Sequence, residues 1–195
     1  MQDNHQHIHG SIFFLLRKFI INNYSEEMWH ILNAEAHVEE SGIEMTKSYD
    51  LSDILGIMQT ASTHTNLSIK ELQEKFGEYL VPDLFKIYGN YLNPNWKTFD
   101  VLLNTETVMH GAVRKLNSTA HPPILNVSQV NEHLLIIDYH SKRKLASLAV
   151  GIIKGIANYF NESRQVHVKP TTEADAERVQ IRVEFHPEKN EQHST

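Results

Sequence analysis

The chain has 195 residues, 41% hydrophobic and 22% charged, enough to bury a full core as one domain or two closely packed lobes without cross-links. Its 18 Lys plus Arg stand against 24 Asp plus Glu, and the net charge of -6 argues against nucleic acid or an anionic membrane as partner. The absence of cysteine excludes disulfides, thiolate metal sites and thiol catalysis.

Residues 1–8 read as an N-terminal extension, and the alternating His5, His7 and His9 as solvated polar sequence rather than a metal site. The apolar run from Ile12 to Leu16 is broken by Arg17 and Lys18, and no positive residue precedes it. Neither a signal peptide nor a membrane span is supported, and a cytoplasmic protein is expected. Ile12, Leu15, Leu16, Phe19 and Ile20 recur at helical spacing, so residues 11–23 form an amphipathic helix. Ser25 ahead of Glu26 and Glu27 starts a second, with Met28, Trp29, Ile31 and Leu32 on its buried side. Residues 39–48 read as a connection. A third helix begins at Leu51 and ends among residues 63–66.

Ser68 and Glu71 make a capping box for a helix carrying Leu72, Phe76 and Tyr79, and Pro82 suits the first turn of a further short helix through Tyr88. Helix returns at Trp96 to Leu103. After Pro122-Pro123 the texture changes: residues 124–130 and 134–141 are short runs of strand type around a polar turn, which reads as a hairpin. Residues 144–160 are strongly helical, with Gly151 and Gly155 permitting close approach of a neighbour. Val166 and Val168 open another strand, and Val179, Ile181, Val183 and Phe185 alternate as a half-buried antiparallel strand. The expected class is α+β: a helical amino-terminal part, then an antiparallel sheet of about four strands with a crossing helix. Residues 9–186 form the domain, divided at about residue 66 into two lobes, and residues 187–195 are a solvated tail.

The stretch TETVMHGAVRKL, Thr105 to Leu116, reads as a helix capped at Asn104 or Thr105, with Met109, Val113 and Leu116 as an apolar stripe. His110 borders that stripe and points inward. Taken alone, such a histidine is more often a hydrogen-bonded core residue than a metal ligand. Downstream, Tyr139, Ser141 and Arg143 lie two apart at a strand end and leave from one face, while His140 and Lys142 face the other way. A phenol, a hydroxyl and a guanidinium together suit an anion, and Arg favours a planar two-oxygen acceptor such as a carboxylate. An inward imidazole and a carboxylate-binding trio in an apolar chain point to haem, which has an iron and two propionates.

Tyr139-His140-Ser141-Lys142-Arg143 resembles the Tyr-x-Ser-x-Arg motif of the H-NOX family, the haem nitric oxide/oxygen binding domains that include the haem domain of soluble guanylate cyclase. The histidine ahead of Pro122-Pro123, the opening Gly10-Ser11-Ile12 and the helix GIIKGIANYF are similar too, and the resemblance runs from about His9 to Phe185. It implies haem b ligated by His110, with propionates held by Tyr139, Ser141 and Arg143, and with Pro123 and Ile12 packed on the porphyrin. It puts Leu148 where oxygen-binding members carry a distal tyrosine. NO binds ferrous iron without such a donor and bound O2 needs one, so an NO sensor that also takes CO is expected. Tyr79, Tyr88 and Tyr91 are the other candidate hydroxyls. The resemblance further implies a switch in which NO weakens the iron-histidine bond, read by a histidine kinase or diguanylate cyclase in trans, since the chain ends soon after its last strand. The rival readings are an oxygen or redox sensor, a peroxidase-type enzyme, for which His64 or His30 would have to turn inward, and a haem-free interaction domain. Residues 1–7 precede the family's usual start and are expected to stay away from the pocket.

Overall fold

The computed structural model describes residues 7–39, 42–116 and 120–186, so His5 and the 187–195 tail lie outside the described residues. Elements run β1 (His7–His9), α1 (Gly10–Asn23), α2 (Glu26–Ala36), β2 (Ser48–Asp50), α3 (Leu51–Thr65), α4 (Ile69–Tyr88), a 3-10 turn (Gly89–Tyr91), then α5 (Thr98–Asn104), a π-turn (Thr105–Met109) and α6 (His110–Leu116). The hairpin β3 (Ile124–Asn131) and β4 (Leu134–His140) follows, then α7 (Ala146–Tyr159), β5 (Val166–Pro170) and β6 (Arg178–Phe185). The four-stranded sheet is antiparallel in the order β3-β4-β6-β5. The α+β expectation therefore holds. No helix among the described residues is long and apolar enough to cross a membrane.

Local signals account for most boundaries. The Ser25 side chain accepts from the Met28 N–H at the start of α2, and Ser68 and Glu71 form the reciprocal capping box of α4. Two expectations need correction here. Pro82 does not open a new helix but lies inside α4, where its missing N–H and ring are intrinsically costly. Burial carries the helix through: Leu80 and Val81, the two residues just before Pro82, are wholly enclosed. The second concerns β1 and β2, which form an antiparallel pair (His7↔Asp50, His9↔Ser48) where extension and connection were expected. Three-residue strands without apolar alternation leave no periodic trace in a sequence. Gly10 fits beneath that loop, its N–H bonded to Lys47 O at 2.7 Å, and a Cβ there would strike the Glu44 carbonyl.

Two apolar clusters make the core. One joins α1, α2, α3 and the first half of α4 through Phe13, Trp29, Leu32, Ile57 and Phe76; the other joins the sheet, α5 and α7 through Val101, Leu135, Ile153, Ile181 and Val183. α4 contributes to both, with Leu80 in the first and Val81 in the second. It lies against α7 at backbone contact. A Cβ at Gly77 would overlap the Leu148 carbonyl, one at Gly151 would overlap Glu74, and one at Gly155 would sit 2.7 Å from Val81 Cγ2. Lys154 and Glu74 add an ion pair at 2.5 Å across the same seam, and Lys18 with Asp83, also at 2.5 Å, ties α1 to α4.

Two outcomes are expected. Gly151→Ala forces α4 and α7 apart and costs about 1–3 kcal/mol in a denaturant titration, whereas Gly89→Ala, with open space around it, stays near neutral. Asp83 has its pKa lowered, first by the hydrogen bond from Lys18. A carboxyl depressed on folding stabilises above its unfolded pKa and loses that contribution as pH falls through its folded pKa. Asp83→Asn should thus cost about 0.5 kcal/mol at pH 7, and the difference from the parent should vanish in melts below the carboxylate range.

Candidate functional site

A cavity of about 260 Å³ opens between the two clusters, walled by α4, α6, α7, the sheet and the entry to α1. Most of its wall is apolar: Ile12, Leu80, Val81, Leu84, Val113, Leu145, Leu148, Ile152 and Ile156 all face it. Polar groups enter at few points, chiefly His7, His9, Tyr88, His110, His121, Tyr139 and Arg143.

α5 does not stop at Asn104. The helix continues through the π-turn into α6, and His110 donates its backbone N–H to Thr105 O five residues back. The freed groups find side chains: Thr105 Oγ1 donates to Val101 O at 2.7 Å and Asn104 Nδ2 to Asp100 O at 2.9 Å. Asn104 and Thr105 therefore patch a continuous helix instead of capping a new one. Met109 and Val113 face the cavity, but Leu116 is 59% exposed.

The His110 side chain is only 15% exposed, and its Nδ1 lies 2.9 Å from Glu106 Oε2. The same carboxylate takes Arg114 Nη2 at 2.6 Å and the Leu125 N–H at 3.0 Å. Burial works against ionisation of Glu106, but the hydrogen bonds from His110, Arg114 and Leu125 together outweigh it and bring its pKa to about 2. An ionised carboxylate only accepts, so Nδ1 of His110 carries a proton, the tautomer that in a neutral ring leaves Nε2 as the atom able to ligate a metal. Glu106 went unnoticed in the sequence, although a carboxylate four residues before a helical histidine was a readable signal.

Tyr139 is buried in β4, with 3% exposure. Burial raises the pKa of its phenol, opposed by hydrogen bonds with the Ser141 side chain and the Leu145 backbone. β4 ends at His140, so the placement of Ser141 and Arg143 comes from a turn, not from the pleat. That turn closes through Lys144 N to Ser141 O at 3.2 Å, with Lys144 in the left-handed region at φ 55°. Ser141 does not line the cavity: it lies behind Tyr139 and accepts from the Arg143 N–H at 3.2 Å. Arg143 does line it, and its guanidinium donates to the carbonyls of His7, at 3.2 Å, and His121. Burial lowers its pKa, with the Tyr139 phenol acting the other way. Among the described residues Arg143 has no acidic partner, only these neutral acceptors.

Pro122, Pro123, Ile12 and Leu148 all lie on the cavity wall. Of the three tyrosines considered as hydroxyl donors, Tyr88 faces the cavity, while the Tyr79 hydroxyl accepts from Asn22 Nδ2 at 2.6 Å and Tyr91 is 46% exposed. His64 pairs with Glu35 at 2.9 Å and His30 is exposed, so neither turns inward. The start of the chain departs most from expectation: His7 and Ile8 line the cavity, and Ile8 belongs to the core. Pairing with β2 draws the segment inward, which composition does not reveal. His9, with Nδ1 2.7 Å from Ser11 Oγ, lines it as well.

The His110 imidazole supplies one ligand, enough for a metal whose other positions a macrocycle fills; the apolar walls suit that macrocycle, and a half-buried guanidinium beside a phenol suits its acid groups. Against known families, the model described as Haem-NO-binding matches residues 9–168. This chain belongs to the haem-NO-binding, or H-NOX, family. The cofactor of H-NOX domains is haem, and the family is one of gas sensors. A mutant H-NOX protein from S. oneidensis in the Fe(II) ligation state is similar with a TM-score of 0.83 at 21% identity, covering 94% of this chain and 98% of that one. The Fe(II)NO state of an S. oneidensis H-NOX gives 0.81 at 20% identity, over 92% and 100%. The IWP-051-bound H-NOX from Shewanella woodyi in the Fe(II)CO state gives 0.77 at 25% identity, over 94% and 97%. At such identities the structures speak for the fold, and the family match carries the membership.

The turn behind the H-NOX motif is testable on stability alone. Ser141→Ala removes the acceptor of the Arg143 N–H and a partner of the Tyr139 hydroxyl, and is expected to cost about 1–2 kcal/mol, read from the shift of the denaturation midpoint.

Proposed function

We propose that this protein is a haem-based sensor of nitric oxide, with His110 as the axial ligand of ferrous iron, signalling to a partner protein in trans. The observation that carries the reading is the His110 imidazole, held by an ionised carboxylate through Nδ1 and inward at an apolar cavity. Tyr139 and Arg143 bind the propionates, and Arg143 exchanges the carbonyls of His7 and His121 for a carboxylate, a stronger acceptor for a guanidinium. Ser141 contributes from behind by shaping their turn. Pro123 and Ile12 pack on the porphyrin, and Leu148 lines the distal side. Held through His110, haem would supply a ferrous iron able to bind NO, with CO as a further ligand, and NO binding would weaken the iron-histidine bond. His110 stands at the start of a seven-residue helix whose last residue is exposed, so few contacts hold α6 once that bond is lost. The two apolar clusters then adjust about α4 and α7, and a histidine kinase or diguanylate cyclase reads the change. The protein works in the cytoplasm and as a sensor, not an enzyme.

An oxygen-sensing reading is kept in view by one residue, Tyr88, whose side chain faces the cavity. Absorption spectra of the purified ferrous protein under argon, then air, then NO test the proposal. A five-coordinate spectrum unmoved by O2 and converted to a stable nitrosyl form is expected. A stable oxy spectrum lost in Tyr88→Phe would replace NO sensing with O2 sensing. His110→Gly is expected to lose haem and to regain it with added imidazole; a variant that keeps haem without imidazole would remove His110 from the site.

A further inference from the structure

The Glu106 carboxylate sits where the π-turn, the α6 helix that follows it and the edge of the sheet meet. Its Oε2 holds His110 Nδ1 at 2.9 Å and the Leu125 N–H at 3.0 Å, and its Oε1 holds Arg114 at 2.6 Å. Leu125 is the second residue of β3, at the outer edge of the sheet, and pairs in register with Tyr139 of β4. Its N–H points away from β4 into an acceptor on another element, so this edge donor is satisfied by the helix that carries His110. Arg114 reaches back two turns along that helix and also donates to the Glu106 carbonyl, at 3.2 Å. That contact spans the π-turn, at the one place where the helical hydrogen-bond ladder changes register. One carboxylate thus joins the imidazole, the irregular turn that presents it, and the strand opposite the anchored phenol.

We propose that Glu106 is a positioning residue that sets the ring orientation and basicity of His110 and transmits movement of that ring to the edge of β3. The proposal rests on His110 being the axial ligand. A carboxylate accepting the Nδ1 proton raises the electron density at Nε2 and strengthens its bond to a metal, as outer partners of ligating histidines do. Glutamine at this position keeps a neutral oxygen for the Leu125 N–H but accepts more weakly from the imidazole. Alanine removes both contacts. When His110 is displaced, the carboxylate it shares is pulled with it, and the Leu125 N–H loses its acceptor. The β3 edge then presents one more open donor, on the strand paired with the one that carries Tyr139.

Resonance Raman of the iron-histidine stretch in the haem-loaded full chain, with amide hydrogen exchange at Leu125, tests this. Glu106→Gln should lower the stretching frequency and leave Leu125 protected, whereas Glu106→Ala should lower it further, expose Leu125 to exchange, and weaken haem retention roughly tenfold. Arg114→Gln, which leaves His110 as the stronger claimant on the carboxylate, should move the frequency the opposite way and keeps the test open if Glu106→Ala fails to fold. An unchanged frequency in Glu106→Gln and Arg114→Gln would overturn the positioning role, as would full protection of Leu125 in a folded Glu106→Ala. Haem that survives in His110→Gly without imidazole would defeat the ligation reading itself, independently of what the Glu106 variants do.

Discussion

The contact between α4 and α7 is the constraint on which the rest of the molecule depends. Gly77 and Gly151 bring the two backbones together with no side chain between them, Gly155 makes room for Val81, and each helix serves both apolar clusters. Helices this close leave little slack along the seam, because interiors packed at crystal density transmit displacement instead of absorbing it. The cavity survives beside a rigid axis, bounded by Leu80 and Val81 of α4 and by Leu148, Ile152 and Ile156 of α7. A chain with an alanine at any of these glycines would have to reopen the seam and redraw that wall.

Against this axis, the element bearing His110 is lightly built. It consists of a seven-residue α5, a π-turn and a seven-residue α6, with side chains from Thr105 and Asn104 filling the hydrogen bonds that the irregular turn leaves open. Short helices depend on tertiary contacts for their stability. The main tertiary tie of this turn to the sheet is the Glu106 carboxylate on the Leu125 N–H, and that same carboxylate grips the imidazole. A rigid pair of helices on one side of a cavity and a tethered, irregular helix on the other is an arrangement in which an event at His110 can move one wall while the other stays.

The polar end of the cavity follows a related logic. Arg143 is held through both terminal nitrogens by carbonyls from two distant segments, at His7 and His121, and its backbone is fixed by the Ser141 hydroxyl. The guanidinium thereby draws together the start of the chain, the segment before Pro122-Pro123 and the end of β4. Its neutral partners are the kind an anion displaces, since a charge-assisted bond to a carboxylate is roughly twice as strong as one to a carbonyl.

Helix starts at Ser25 and Ser68, the alternation of β6 and the glycines of α7 were legible in the sequence because each depends on neighbours within a few residues. The residues of the cavity were legible as types: an imidazole on an apolar face and a phenol, hydroxyl and guanidinium at spacing two. Their arrangement was not. Ser141 reaches the site through a turn closed by a left-handed Lys144, not through the pleat, and it supports Tyr139 and Arg143 from behind. The continuity of α4 through Pro82 was decided by burial, which overrides local propensity. The recruitment of His7 and Ile8 depended on pairing with Ser48–Asp50, some forty residues away, and the bond from Leu125 to Glu106 joins a strand edge to a helix. The sequence by itself determined which groups were available and which local elements they favoured, because those preferences act over a few residues. Only the tertiary structure decided which of them meet, because hydrogen bonds between distant segments form only after packing has brought those segments together.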